Sequence, residues 1–202
     1  MGLKKAFCID DLRNHISQCR DNSCHGIKKS NNLTSGNLYG SMKCLTISHS
    51  KILGNIDGVD DLSRLPDEEF FVIDMDALLR SKYNFNIYST ISKYVEFDLM
   101  AYPFMENDLV DMIISGASRV VVNHTISEEK LKDFMEVSDQ LIMHYASQFE
   151  ARAFMKKGGK YLMGCSKVEV PKGITVFYYG MPGQGEQYIQ LEDFPEELRY
   201  DC

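Results

Sequence analysis

No stretch of this 202-residue chain stays apolar for the roughly 18 positions that a bilayer-spanning helix needs. Long basic runs are absent too: Lys28-Lys29 and Lys156-Lys157 are only pairs, and the net charge is −7. A negative chain without a basic face repels a phosphate backbone, so neither nucleic acid nor membrane is an expected partner. The opening residues run from Met1 to Cys8 and straight into Asp10-Asp11, without the apolar run of an export signal. Ala6 stands where a myristoylation motif needs Ser or Thr. These absences together point to a cytoplasmic protein. The six cysteines are then expected to be free thiols. Cys19, Cys24 and His25 lie close together, but their spacing fits no common zinc pattern and no second Cys/His pair follows. No metal and no cofactor is expected. No fixed-period repeat and no linker interrupts the chain, so residues 1–202 read as a single domain.

Hydrophobic residues make up 44% and charged residues 25%, enough apolar side chains for a packed core and too many for a disordered chain. The middle of the chain is the most legible part. Phe70-Phe71-Val72-Ile73 is a continuous apolar run, the pattern of a strand covered on both faces, and it ends in Asp74-Met75-Asp76. Tyr94 to Leu99 reads as a second strand. Glu106-Asn107-Asp108 opens a helix whose acidic first turn suits the helix dipole, with Leu109, Val110, Ile113 and Ile114 as its apolar face and Gly116 as its stop. Arg119-Val120-Val121-Val122 is a third strand. Ser127 caps the next helix, with Glu128 and Glu129 behind it and Leu131, Phe134 and Met135 as its buried stripe. Gln140 to His144 is a fourth strand. Strands and helices alternating through short links imply right-handed crossovers and a parallel sheet.

Elsewhere the signals are thinner. Lys5 to Ile9 suits a first strand, 20–41 a long polar loop, and Met42 to Ile47 either a strand or a helix start. Tyr161-Leu162-Met163 and Ile174 to Tyr179 are further strands, and Gly183-Gln184-Gly185, which could cradle an anion, reads as a hairpin or plain loop because no helix clearly begins there.

Two segments carry a family resemblance. Val72-Ile73-Asp74-Met75-Asp76-Ala77, followed by Asn86-Ile87, and Gly116-Ala117-Ser118-Arg119-Val120-Val121-Val122-Asn123-His124-Thr125 resemble the second and fourth strands of the HisA/HisF family of histidine-biosynthesis barrels. Cys8-Ile9-Asp10-Asp11-Leu12 stands as a counterpart of that family's first strand. The likeness covers about a quarter to a third of the chain. It implies an α/β fold, a (βα)8 TIM barrel with its site at the carboxyl ends of the strands. The chain is short against the roughly 250 residues usual for that fold, so the C-terminal half is expected to be shortened or incomplete. An open flavodoxin-like parallel sheet is the alternative fold.

The resemblance also implies a small phosphorylated metabolite as ligand and isomerase-type proton transfer as chemistry. Asp10, Asp74, Asp76 and His144 are the acid–base candidates, because carboxylates and imidazoles at strand ends are what such chemistry needs. Asp11, Asp98, Tyr102, Asn123, His124 and Thr125 are the ligand-binding candidates. The family's phosphate-binding glycines after the third strand are replaced by Tyr102-Pro103-Phe104, and its Gly-Thr pair after the fourth by Asn123-His124. Its second catalytic carboxylate has no acidic match, since Met143-His144-Tyr145 stands there. These departures leave a second reading: a non-catalytic barrel descendant that binds or assembles, including as a homo-oligomer.

Overall fold

A computed structural model describes residues 40–53, 62–63, 69–165, 168–179 and 188–199. All belong to Tyr39–Cys202, the larger of two units into which the chain divides. The proposed strand at Lys5 to Ile9, Asp10, Asp11, the Cys19/Cys24/His25 group and the Gly183–Gly185 loop lie outside the described residues.

In chain order the strands are β1 (Ser41–Ser48), β2 (Lys51–Leu53), β3 (Glu69–Asp74), β4 (Glu96–Met100), β5 (Arg119–Asn123), β6 (Leu141–His144), β7 (Tyr161–Gly164), β8 (Thr175–Tyr178) and β9 (Tyr188–Glu192). The helices are α1 (Met75–Arg80), α2 (Phe85–Ile91), α3 (Glu106–Ile114), α4 (Glu128–Val137) and α5 (Gln148–Lys156). A 3₁₀ turn covers Glu196–Leu198. From β3 to β9 each strand pairs in parallel with the next, and β1 pairs in parallel with both β3 and β9. The sheet therefore closes into an eight-stranded parallel barrel, with β2 hanging antiparallel outside it on β1. Closure excludes the open flavodoxin-like sheet. β1 is the first strand of the barrel among the described residues, which settles Met42 to Ile47 as strand. All eight barrel strands are present; among the described residues, the five helices above lie between β3 and β7, and those between β7 and β8 contain none.

Strand alternation divides the apolar residues into two layers. Phe70, Val72, Phe97, Leu99, Val120, Val122, Leu141 and Leu162 face outward, in one core with helix residues Tyr88, Leu109, Leu131, Phe134 and Phe154. Phe71, Asp98, Arg119, Ile142, Met163 and Phe177 fall on the opposite, inward face; the Phe71 and Phe177 rings meet across the barrel at 5.9 Å. Local chemistry sets the helix starts. Ser127 accepts from the Lys130 amide at 3.3 Å, and Ser147 with Glu150 forms a capping box at the start of α5. On α3 the buried residues are Leu109 and Met112, whereas Ile113 and Ile114 are exposed, so its packed face is rotated from the one expected. Cys44 is a free thiol, but Cys165 is disulfide-bonded, against the expectation of free thiols throughout. No helix among the described residues is long and apolar enough to cross a membrane.

Candidate functional site

Parallel strands deliver their carboxyl ends to one mouth of the barrel. His144 ends β6 there with its side chain turned inward, fully buried. Its Nδ1 stands 2.5 Å from the Tyr102 hydroxyl and its Nε2 2.5 Å from the Tyr179 hydroxyl. Burial, followed by the charge of His124, holds this imidazole well below its ordinary pKa. It is neutral at pH 7, so one ring nitrogen donates and the other accepts. The two tautomers give opposite polarity to the Tyr102–His144–Tyr179 chain: either Tyr102 donates to Nδ1, or Nδ1–H donates to Tyr102 and frees its hydroxyl proton for the mouth. Tyr179 is buried and stacked flat on Phe194, with centroids 4.3 Å apart and planes at 7°. Tyr102 is half-buried and is the member of the chain that reaches the surface.

Tyr102 holds its place with unusual backbone. Its φ is +46°, the left-handed region that L side chains avoid and glycine adopts freely. The structure thus keeps a glycine-like conformation after β4 yet fills it with a phenol. Such an outlier costs on the order of 1 kcal/mol or more and persists only where surrounding contacts enforce it.

The other residues singled out from sequence fall into three groups. Asn123 pairs in register with His144, and its side chain accepts from the Thr125 amide at 3.0 Å; His124 is half-buried beside them, and its amide donates to the His144 carbonyl. Asn123, His124 and Thr125 therefore form one lip of the mouth.

Asp74 and Asp76 reach the same end of the barrel but not its interior. Asp74 faces the helical layer, caps α1 by accepting from the Ala77 amide at 3.0 Å, and takes donors from Asn84 and the Tyr88 hydroxyl. Burial outweighs these donors and raises its pKa. Asp76 accepts from the amides of His49 and Ser50 at 3.0 and 2.8 Å, fastening the β1–β2 turn, in which both residues have positive φ. Its pKa is lowered, because the two amides, Asn84 and Arg80 together overcome burial. Both carboxylates have structural partners that account for their positions without a substrate.

Asp98 is not at a strand end. It lies inside β4, pointing into the barrel toward the amino-terminal floor, with Oδ1 2.6 Å from Arg119 Nε. The Arg119 guanidinium lies over the Tyr161 and Phe177 rings at 5.1 and 5.2 Å and within 3.6 Å of Glu69. Asp98 Oδ2 is buried without a hydrogen-bond partner beside a cavity of about 20 Å³, the size of one water.

Tyr179 is a site residue that the sequence does not single out. Its signal is alternation: Tyr179 continues the face of Thr175 and Phe177 one residue past the end of β8. Among the described residues no group of three or more His, Cys, Asp or Glu is placed to hold a metal ion. No family model matches the chain, and no curated protein matches it.

Proposed function

We propose that the molecule is a divergent (βα)8 barrel that binds a small polar metabolite at its carboxyl-end mouth and moves a proton there. Tyr102 touches the substrate, and His144 lies behind it to return or stabilise charge. The observation that carries this reading is the left-handed backbone at Tyr102, maintained while its hydroxyl sits against a buried neutral imidazole. As an acid, Tyr102 gives its proton to the substrate while Nδ1–H donates to the phenolate left behind. Running in reverse, the phenolate removes a proton from carbon or oxygen, which is the elementary step of a sugar isomerisation. The basic direction through His144 alone is disfavoured, because an imidazolium at full burial beside His124 is costly.

The HisA/HisF resemblance supports a phosphorylated substrate, and His124 on the mouth's lip supplies a group for an anion. Glu128, Glu129 and Glu150 in the first turns of α4 and α5 work against a phosphate at those helix ends. The test is thermal-shift screening against ribose phosphates, histidine-pathway intermediates and the matching unphosphorylated sugars, followed by proton NMR in D2O of whichever ligand stabilises the fold. Loss of a substrate C–H signal that requires Tyr102 and disappears in Tyr102→Phe is the expected result.

The second reading, a binding or assembly protein without catalysis, is favoured by the full burial of His144 between Tyr102 and Tyr179. Stabilisation without any C–H exchange, or no stabilisation by any sugar, selects it.

A further inference from the structure

Residues 101–105, between β4 and α3, carry Tyr102 over the mouth, and Phe104 and Met105 on this loop are exposed. A left-handed tyrosine on a solvent-facing loop relaxes unless neighbouring groups hold it. Three side chains do so. Asp108, in the first turn of α3, accepts through a single oxygen, Oδ2, from the Met105 amide at 2.7 Å and the Phe104 amide at 3.1 Å. The Tyr83 hydroxyl, 3.1 Å from the same Phe104 amide, lies 3.3 Å from Asp108 Oδ2 and 3.4 Å from the Tyr102 carbonyl. Lys130, from α4, donates to the Phe104 carbonyl at 2.8 Å and covers the Phe104 ring at 4.2 Å. Burial, then the Asp108 charge, pushes Tyr83 up to about 12, so it remains a donor across the working pH range. Pro103 has no amide to satisfy and a fixed φ, which stiffens the centre of the loop.

We propose that Asp108, with Tyr83 and Lys130 on either side, is a positioning residue: it fixes the 101–105 backbone so that the Tyr102 hydroxyl stays on His144 Nδ1. The inference rests on the Tyr102–His144 reading above and deepens it, because it assigns control of the proton chain to residues that touch neither His144 nor a substrate. Without the Asp108 carboxylate, the Met105 amide loses its acceptor, the Phe104 amide keeps only the Tyr83 hydroxyl, and Tyr102 moves off. His144 is then open to solvent and its Nδ1 loses its partner.

Carbethoxylation of His144, read by peptide mass, and the ring ¹⁵N signals of His144 in the full-length protein test this without any substrate. In the wild type His144 resists modification and both ring nitrogens show hydrogen-bonded shifts. In Asp108→Ala the modification rate rises about tenfold, the population change that releasing one strained conformation gives, and the Nδ1 signal moves. Asp108→Asn, which keeps an acceptor oxygen, restores most of the protection. Asp111→Ala, exposed on the same helix, changes neither readout. Lys130→Met is the second variant, expected to move the signals in the same direction by less. A Tyr102→Phe protein whose Nδ1 signal matches the wild type would remove the proton chain itself. A Tyr102→Phe effect without an Asp108→Ala or Lys130→Met effect would overturn the positioning role alone.

Discussion

Asp98 is a buried carboxylate with one oxygen paired to Arg119 and the other unpaired, and burial prevails over the guanidinium: its pKa is pushed up from 3.8 to about 6. The folded state therefore holds this proton more tightly than the unfolded chain does. The stability it contributes is fully present below about pH 4 and is lost as pH rises through 6. Urea midpoints should accordingly fall between pH 4.5 and pH 7.5, by at most about 3 kcal/mol of unfolding free energy from this residue. In Asp98→Asn, which has no proton to lose, that part of the slope should vanish. An unchanged slope in the variant would assign the pH dependence elsewhere. The residue scale is also where the sequence is least legible. It announces that Asp74 closes a core strand, but not that the side chain faces outward to Asn84 and Tyr88, because parity along a strand has meaning only once one face is known. His144 could be placed at a strand end from the Leu141–Met143 run. Its partners lie 42 and 35 positions away, just past the ends of β4 and β8, and no spacing rule joins them.

Elements were easier to read, since each leaves a local periodic mark. The apolar runs at 70–73 and 119–122, and the Ser127 cap, correspond to β3, β5 and α4 in the structure. The face of α3 differs from the expected one because Ile113 and Ile114 look like core residues, whereas the helix packs through Leu109 and Met112 against neighbours that sequence does not reveal. β9 was missed altogether: Tyr188-Ile189-Gln190-Leu191-Glu192 carries two polar residues in five and follows a Gly-rich stretch. Gly116 links α3 to β5 for a reason the sequence only half shows. Its φ of +103° suits glycine, and a Cβ there would lie 2.3 Å from the Ser92 Cβ behind α2. Gly116→Ala should therefore cost about 2–4 kcal/mol, from backbone strain plus overlap. Adding Ser92→Gly should recover the overlap part and leave roughly 1 kcal/mol of backbone cost. Chemical denaturation of the two single variants and the double variant checks this, and a double variant no better than Gly116→Ala would mean that the contact with Ser92 is not what limits the position.

At the scale of the whole barrel, helical cover among the described residues is uneven. β4, β5 and β6 carry outward apolar residues under α2 to α5, while β8 meets β9 and β9 meets β1 with no helix among the described residues over that seam. Apolar burial is the main source of resistance to opening, and backbone hydrogen bonds near solvent open at lower free energy. The β9–β1 pairing spans only Ser41–Lys43 against Gln190–Glu192, yet it is the contact that turns a sheet into a closed ring. Opening should thus begin at this seam. Native-state hydrogen exchange should show amides of β9 and the first residues of β1 exchanging through a subglobal opening, while those of Val120 to Val122 and Leu141 to Met143 exchange only with global unfolding. The carboxyl-end mouth straddles the two regions: His144 belongs to the helix-covered half, and Tyr179, stacked on Phe194 after β9, to the seam. A seam that opens before the rest unfolds would release Tyr179 from Nε2 while β6 stays intact. The His144 ring signals should then report the same opening free energy as the β9 amides. Uniform exchange around the ring, with β9 as protected as β5, would show instead that closure is as strong as the helix-covered half.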